Sequence, residues 1–332
     1  MLYLGEQNTA LVNYSKKAIC FLSIRIHGRK KARSLGYSCN DSDCVGCGSI
    51  KKADIRLGLE KHFLNLFTNE RMSLIITSKP DKLLDIIKEV RREYAQPSKK
   101  EDTKFNEQCK KLFVLSGYNN WFQNGVNNYR LAEDLNIHSC SYCNREYTIT
   151  YRPDGHKGKA MVPQFDHWFP KKEYPLLALS FYNLIPSCAT CNGIKSSIEM
   201  NLDDHMHPYI DSDISSSYSF DFDPNSVDEL RVEFLDNRSD GKGIRTLKEL
   251  NLPMIYHGHS DKELKDLYDL RYKYSDNYLQ ALLDNTFGAL PISNEEKYKL
   301  IFGIELEEKN YHKRIMSKFK SDIVKKLLYI KD

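Results

Sequence analysis

Two CxxC pairs, Cys140-x2-Cys143 and Cys188-x2-Cys191, stand 44 residues apart and restrict this chain's fold more than any other feature. One pair on a tight turn presents two thiolates, and two such turns complete a closed, tetrahedral zinc site. Asn and Gly surround the pairs, where core cysteines would have apolar neighbours. A structural Zn2+ held by these four makes the intervening chain leave one point and return to it. The chain has nine cysteines, an odd number that argues against a closed disulfide framework and for metal binding.

Within that loop lie FDHWFP, residues 165–170, and NLIPSCATCNGIKSS from Asn183. Neighbouring residues on a strand point to opposite faces, so Asp166 and His167 are poorly placed to hydrogen-bond each other as a dyad. Trp168 and Phe169 read as core. Over residues 138–210, about a fifth of the chain, the sequence resembles the HNH endonuclease family. The resemblance rests on Asp166-His167, then Asn183, then Asn192 directly after the last cysteine, with Lys195 three positions on.

The resemblance implies an α+β protein: a zinc-stabilised ββα-metal core of two short strands and a helix, flanked by mainly helical regions. It also implies phosphodiester hydrolysis, which needs a nucleophilic water, a Lewis acid on the scissile phosphate and a frame that aligns them. Asp166 would ligate a hard divalent ion, Mg2+ or Mn2+, that keeps several waters. His167, as neutral imidazole, would take the proton of the attacking water. Asn183 would hold His167 in its working tautomer, through its side-chain amide or its backbone. Asn192 would be the second ligand. Many members have His there, so the choice of metal stays open. Lys195 would touch a phosphate or be a solvated lysine. His207, in HMHPYID, would sit beside the metal site or pack the edge of the core.

The flanks divide the chain into residues 1–135, 136–210 and 211–332. The first part carries 23 basic and 15 acidic groups, the second seven of each, and the third 19 and 23. AICFLSIRI near the start reads as a strand, and a basic cluster of Arg25, Arg29, Lys30, Lys31 and Arg33 follows. Cys39-x4-Cys44-x2-Cys47 is a second candidate zinc cluster, with Cys20, His27 or His62 as a fourth ligand. ADIRLGLEKHFLNLF and PDKLLDIIKEVRREY have helical spacing, while YSFDFDPNSVDELRVEFLD alternates like a hairpin. The last helix places Ile315, Phe319, Ile323 and Leu327 on one side, with Lys318, Lys325 and Lys326 elsewhere, which reads as a basic face for phosphates, an acidic partner or water.

No run approaches the roughly 18 residues needed to span a bilayer. Glu6, Asn8 and Asn13 break what a secretory signal would keep apolar, so a cytoplasmic location and no membrane partner are expected. The leading expectation is a DNA endonuclease with a protein partner. Proteins that resemble it in this way are often encoded with an ATPase in Septu-like antiphage systems. An RNA-cleaving enzyme and a nuclease-inactive, zinc-stabilised binding module are the rivals.

Overall fold

The computed structural model describes residues 1–36, 50–151, 161–196, 198–223, 230–273 and 293–327. Cys39, Cys44 and Cys47 therefore lie outside the described residues. Of their candidate partners, His27 Nε2 faces the Phe67 carbonyl at 2.9 Å and His62 Nε2 the Tyr94 carbonyl at 2.7 Å. Cys20 packs beside Ile24 and Ala32.

The N-terminal region is helical: α1 (Asn8–His27), α2 (Arg29–Ser34), α3 (Ala53–Leu57), α4 (Lys61–Asn65), α5 (Asn69–Thr77), α6 (Pro80–Tyr94) and α7 (Lys99–Cys109). A π-helical stretch, Lys110–Gln123, continues α7, and α8 spans Asn127–Leu135. The strand expected at AICFLSIRI is instead the second half of α1. Ala10, Leu11, Lys16, Lys17 and Ala18 favour a helix that propagates into the β-branched run. Residues 20–26 are all buried, so no one-sided apolar stripe marks the helix. The helix expected over 54–67 breaks at Gly58, whose φ of 62° ends α3 in the left-handed region. Ile55 is consequently 75% exposed. In α6 the stripe is as read: Leu83, Ile87 and Val90 are buried behind Pro80 in the first turn.

At the centre, β1 (Gln164–His167) pairs antiparallel with β2 (Leu184–Ser187), and α9 (Ala189–Lys195) follows β2 at once. The register sets Phe165 opposite Pro186 and His167 opposite Leu184. Two 3-10 turns, Pro175–Leu179 and Phe181–Asn183, connect the strands. The π-helical stretch crosses this connection so closely that a Cβ on Gly117 would stand 2.8 Å from Leu179 Cδ1. Trp168 and Phe169 are core residues, as their sequence context suggested.

The hairpin read in the third region is present as β3 (Tyr218–Phe222) and β4 (Val232–Asp236), with Phe220 opposite Phe234. Helices α10 (Lys242–Glu249), α11 (Leu252–His257), α12 (Lys265–Lys273), α13 (Asn294–Phe302) and α14 (Ser317–Leu327) complete an α+β chain. Tyr256 and Phe319 pack on Phe220 at 4.5 and 5.2 Å between ring centroids. The expected basic face of α14 is partly spent internally. Lys318 is buried, bonded to Asp322 at 2.6 Å and to the Tyr218 carbonyl at 3.1 Å, and Lys326 pairs with Asp221. No described helix is long and apolar enough to cross a membrane.

Candidate functional site

The four cysteines converge. The Sγ atoms of Cys140, Cys143, Cys188 and Cys191 all lie within 4.8 Å of one another, and all four residues are buried. Cys143 and Cys188 are 3.9 Å apart, close to the ~3.8 Å edge of a tetrahedron with Zn–S of ~2.3 Å. Each pair sits on a turn that aims backbone N–H groups at sulfur: Arg145 N at Cys143 (3.3 Å) and Cys191 N at Cys188 (3.4 Å). The first turn needs a left-handed residue, and Asn144 supplies it at φ 52°. Ser141 N bonds the Pro186 carbonyl at 3.2 Å, tying the first pair directly to β2. Burial pushes the Cys140 thiol up, whereas hydrogen bonding led by Cys140 draws Cys143 down. Four sulfurs at these spacings, with N–H groups aimed at them, fit a structural zinc ion.

β1 sends its side chains two ways. Phe165 and His167 face the π-helical stretch, where Phe122 meets Phe165 at 5.3 Å and Tyr118 meets the His167 ring edge-on at 4.4 Å. Gln164 and Asp166 face α9: Asn192 Nδ2 donates to Gln164 Oε1 at 2.6 Å, and Lys195 Nζ stands 3.9 Å from Asp166 Oδ2. The Tyr142 hydroxyl, from between the first two cysteines, donates to Asp166 Oδ2 at 2.7 Å. Asp166 is 3% exposed and His167 5%. Burial raises the Asp166 carboxyl, opposed by Lys195 and Tyr142. Burial, reinforced by the Lys171 charge, lowers His167 to about 3, which leaves it neutral.

His167 is oriented by a group that the sequence does not advertise. Its Nε2 lies 3.1 Å from the Ala178 carbonyl. A carbonyl only accepts, so Nε2 carries the proton and Nδ1 is left as the proton acceptor. Asn183, expected to orient His167 through its side-chain amide or its backbone, acts on the chain around the ring. Its Oδ1 accepts from Phe169 N at 2.7 Å, and its Nδ2 donates to the Phe169 and Leu177 carbonyls at 3.2 and 3.1 Å. Leu177 directly precedes Ala178, so the amide fixes the turn that carries the orienting carbonyl. The Asn183 carbonyl accepts from Trp168 N, one residue past His167.

Lys195 and His207 both lie in the core, which for His207 is one of the two places its sequence context allowed. Lys195 is fully buried and donates to the His167 and Trp168 carbonyls, both at 2.9 Å. It pins α9 to the end of β1 and offers no ammonium to a phosphate. His207 is also fully buried, its ring tilted against Trp168 at 4.7 Å between centroids, with Nδ1 accepting from Tyr209 N. It packs the core. Asn192 is half-buried at the α9 end of the site; Gln164 engages its Nδ2, so Oδ1 is the end a cation would meet. Asp166 and Asn192 each carry hard oxygen donors, the kind that Mg2+ or Mn2+ takes in preference to a soft ion.

Tyr118, Tyr142, Lys171 and the Ala178 carbonyl were not among the residues read from sequence. Tyr118 and Ala178 reach His167 across 49 and 11 positions, and a backbone carbonyl leaves no residue-type signature. Lys171 is the exception: it lies five residues past Asp166, on the turn after Pro170, and a cation there could have been flagged.

Over 49 residues the chain is 35% identical to Septu protein PtuB of Bacillus thuringiensis, a match covering 15% of this chain and 19% of that protein. No protein-family model and no solved structure matches.

Proposed function

We propose that the chain is a metal-dependent HNH-type endonuclease whose centre is Asp166 and His167, and that it serves in prokaryotic defence together with a partner protein. The observation that carries this reading is the opposed placement of the two side chains on β1. Asp166 faces α9, the helix that carries Asn192, with Lys195 of that helix 3.9 Å from its carboxylate, and neutral His167 has its Nε2 proton committed to Ala178. Asp166 and Asn192 would hold the divalent ion, which when bound supplies Lewis-acid stabilisation of the phosphate and the leaving oxygen. His167 Nδ1 receives the proton of the attacking water. Tyr142 and Lys195 steady the carboxylate, and Asn183 and Ala178 fix the imidazole tautomer. The partial similarity to PtuB supports the defence role and a protein partner; an ATPase is the partner class we favour.

One observation favours the rival binding module: Asp166 and His167 are almost fully buried. On the nuclease reading, a partner or the nucleic acid itself opens the site. Purified protein, alone and with the products of neighbouring genes, is to be incubated with plasmid DNA and with RNA in Mg2+ or Mn2+, while Mn2+ binding is titrated in parallel. Asp166→Ala should weaken Mn2+ binding and abolish cleavage; His167→Ala should abolish cleavage and leave Mn2+ binding nearly intact. Binding of nucleic acid without cleavage by any of these mixtures would favour the module. Preferential cleavage of RNA would replace DNA as the substrate.

A further inference from the structure

Lys171 leaves β1 through the tight turn after Pro170, whose carbonyl accepts from Glu173 N and Tyr174 N at 3.0 and 2.8 Å. Asn183 clamps this turn from behind through Phe169, so the lysine is delivered from a fixed base. Its ammonium lies over the Tyr118 ring, 4.5 Å from the centroid, and the same ring meets His167 at 4.4 Å. Its field reaches both key side chains, as it lowers His167 and is itself supported by Asp166. Among the described residues it has no hydrogen-bond acceptor and no carboxylate at ion-pair distance. Its neighbour Lys172 is by contrast exposed and pairs with Glu173 at 4.0 Å. A half-buried cation with only a ring face beneath it is undercompensated, and an anion would supply the missing partner.

We propose that Lys171 binds a non-bridging oxygen of the nucleic-acid phosphate that lies between Asp166 and His167. This rests on the nuclease reading for its catalytic consequence, but the contact itself is a phosphate site and can be measured without cleavage. Tyr118 orients the ammonium through its ring face, and Lys195, committed to two carbonyls, is no substitute.

The test uses full-length protein together with its partner, the chain carrying Lys171→Met or Lys171→Arg, each with and without His167→Ala. Cleavage of supercoiled plasmid in Mg2+, salt-dependent binding of a 20-base-pair duplex, and thermal unfolding are read out. Lys171→Met should lower kcat/KM about 100-fold with an unchanged melting temperature, and Lys171→Arg should restore most of it. In the His167→Ala background, Lys171→Met should reduce the slope of log K against log salt by about one unit. A reduced slope without any cleavage by unmutated protein would keep the phosphate site and remove the nuclease reading. An unchanged slope overturns the proposal, as does an activity loss matched by a fall in melting temperature, which would make Lys171 a structural cap on Tyr118.

Discussion

Asn183 spends its whole side chain on backbone groups of the turn beside His167, and all of them are buried. Deleting the amide strands these groups at about 1–3 kcal/mol each, so Asn183→Ala is expected to cost at least about 3 kcal/mol in urea unfolding and to abolish cleavage. Lys195→Met removes the donor to two carbonyls and the cation nearest Asp166; breaking a buried charge pair in this way costs about 3–5 kcal/mol. A variant as stable as the parent protein would show that Lys195 reaches solvent. The buried histidines set the response to acid. Burial lowers His167 and His207 to about 3 each, against about 6.5 in an unfolded chain. Between those values the unfolded state binds more protons, so stability is full above about pH 6.5 and falls as pH drops toward 3. Asp166, raised by burial, has the opposite sign and opposes part of this loss. Melting temperatures across pH 4–8 should fall on the acid side, and a flat profile would contradict the burial of both rings. The sequence exposes Asp166, His167 and the cysteines because their relations are local: adjacency on one strand, or a two-residue spacing on one turn. It hides Ala178, Tyr118 and Tyr142, whose roles come from packing across the chain. It misleads on Lys195, because a polar residue's burial depends on the partners that the fold supplies.

At the level of elements, the four-cysteine cluster ties the first cysteine turn to the junction of β2 and α9. Cys188 is both the N-cap of α9 and a member of the sulfur cluster, so loss of metal should loosen the join between β2 and the helix that carries Asn192. Zinc is expected at one ion per chain for this cluster, and Cys188→Ser or a strong chelator should lower the melting temperature by well over 5 °C, because structural zinc supplies folding free energy directly. Intact melting after measured zinc loss would show that the cysteines are merely packed. The β3–β4 hairpin was legible because Tyr218, Phe220 and Phe222 are buried in strict alternation. Helix α1 was not, because burial on all sides erases the periodicity on which such a reading depends.

Across the whole molecule, the third region is built into the first cysteine turn. Asn144 Nδ2 donates to the carbonyls of Tyr311 and Arg314 at 2.9 and 3.2 Å, Asn144 O accepts from Met316 N at 2.6 Å, and the Tyr256 hydroxyl donates to the Cys143 carbonyl at 2.5 Å. These contacts all come from residues beyond 251. A chain cut after Asn251 is therefore expected to destabilise the four-cysteine site; zinc retention and unfolding of the truncated chain measure this. At the other end, Arg29, Lys30, Lys31 and Arg33 are exposed on α2, so replacing them should weaken nucleic-acid binding and lower its salt slope by roughly one unit per lost phosphate contact. The central claim is that Asp166 and His167 form a hydrolytic centre, and it is met most directly by one comparison: plasmid cleavage in Mg2+ by the full-length protein with its partner, against the same assembly carrying only His167→Ala. The assembly is expected to cleave, and the substitution to reduce cleavage at least about 1000-fold without changing zinc content or melting temperature. Equal cleavage by the two proteins would contradict it.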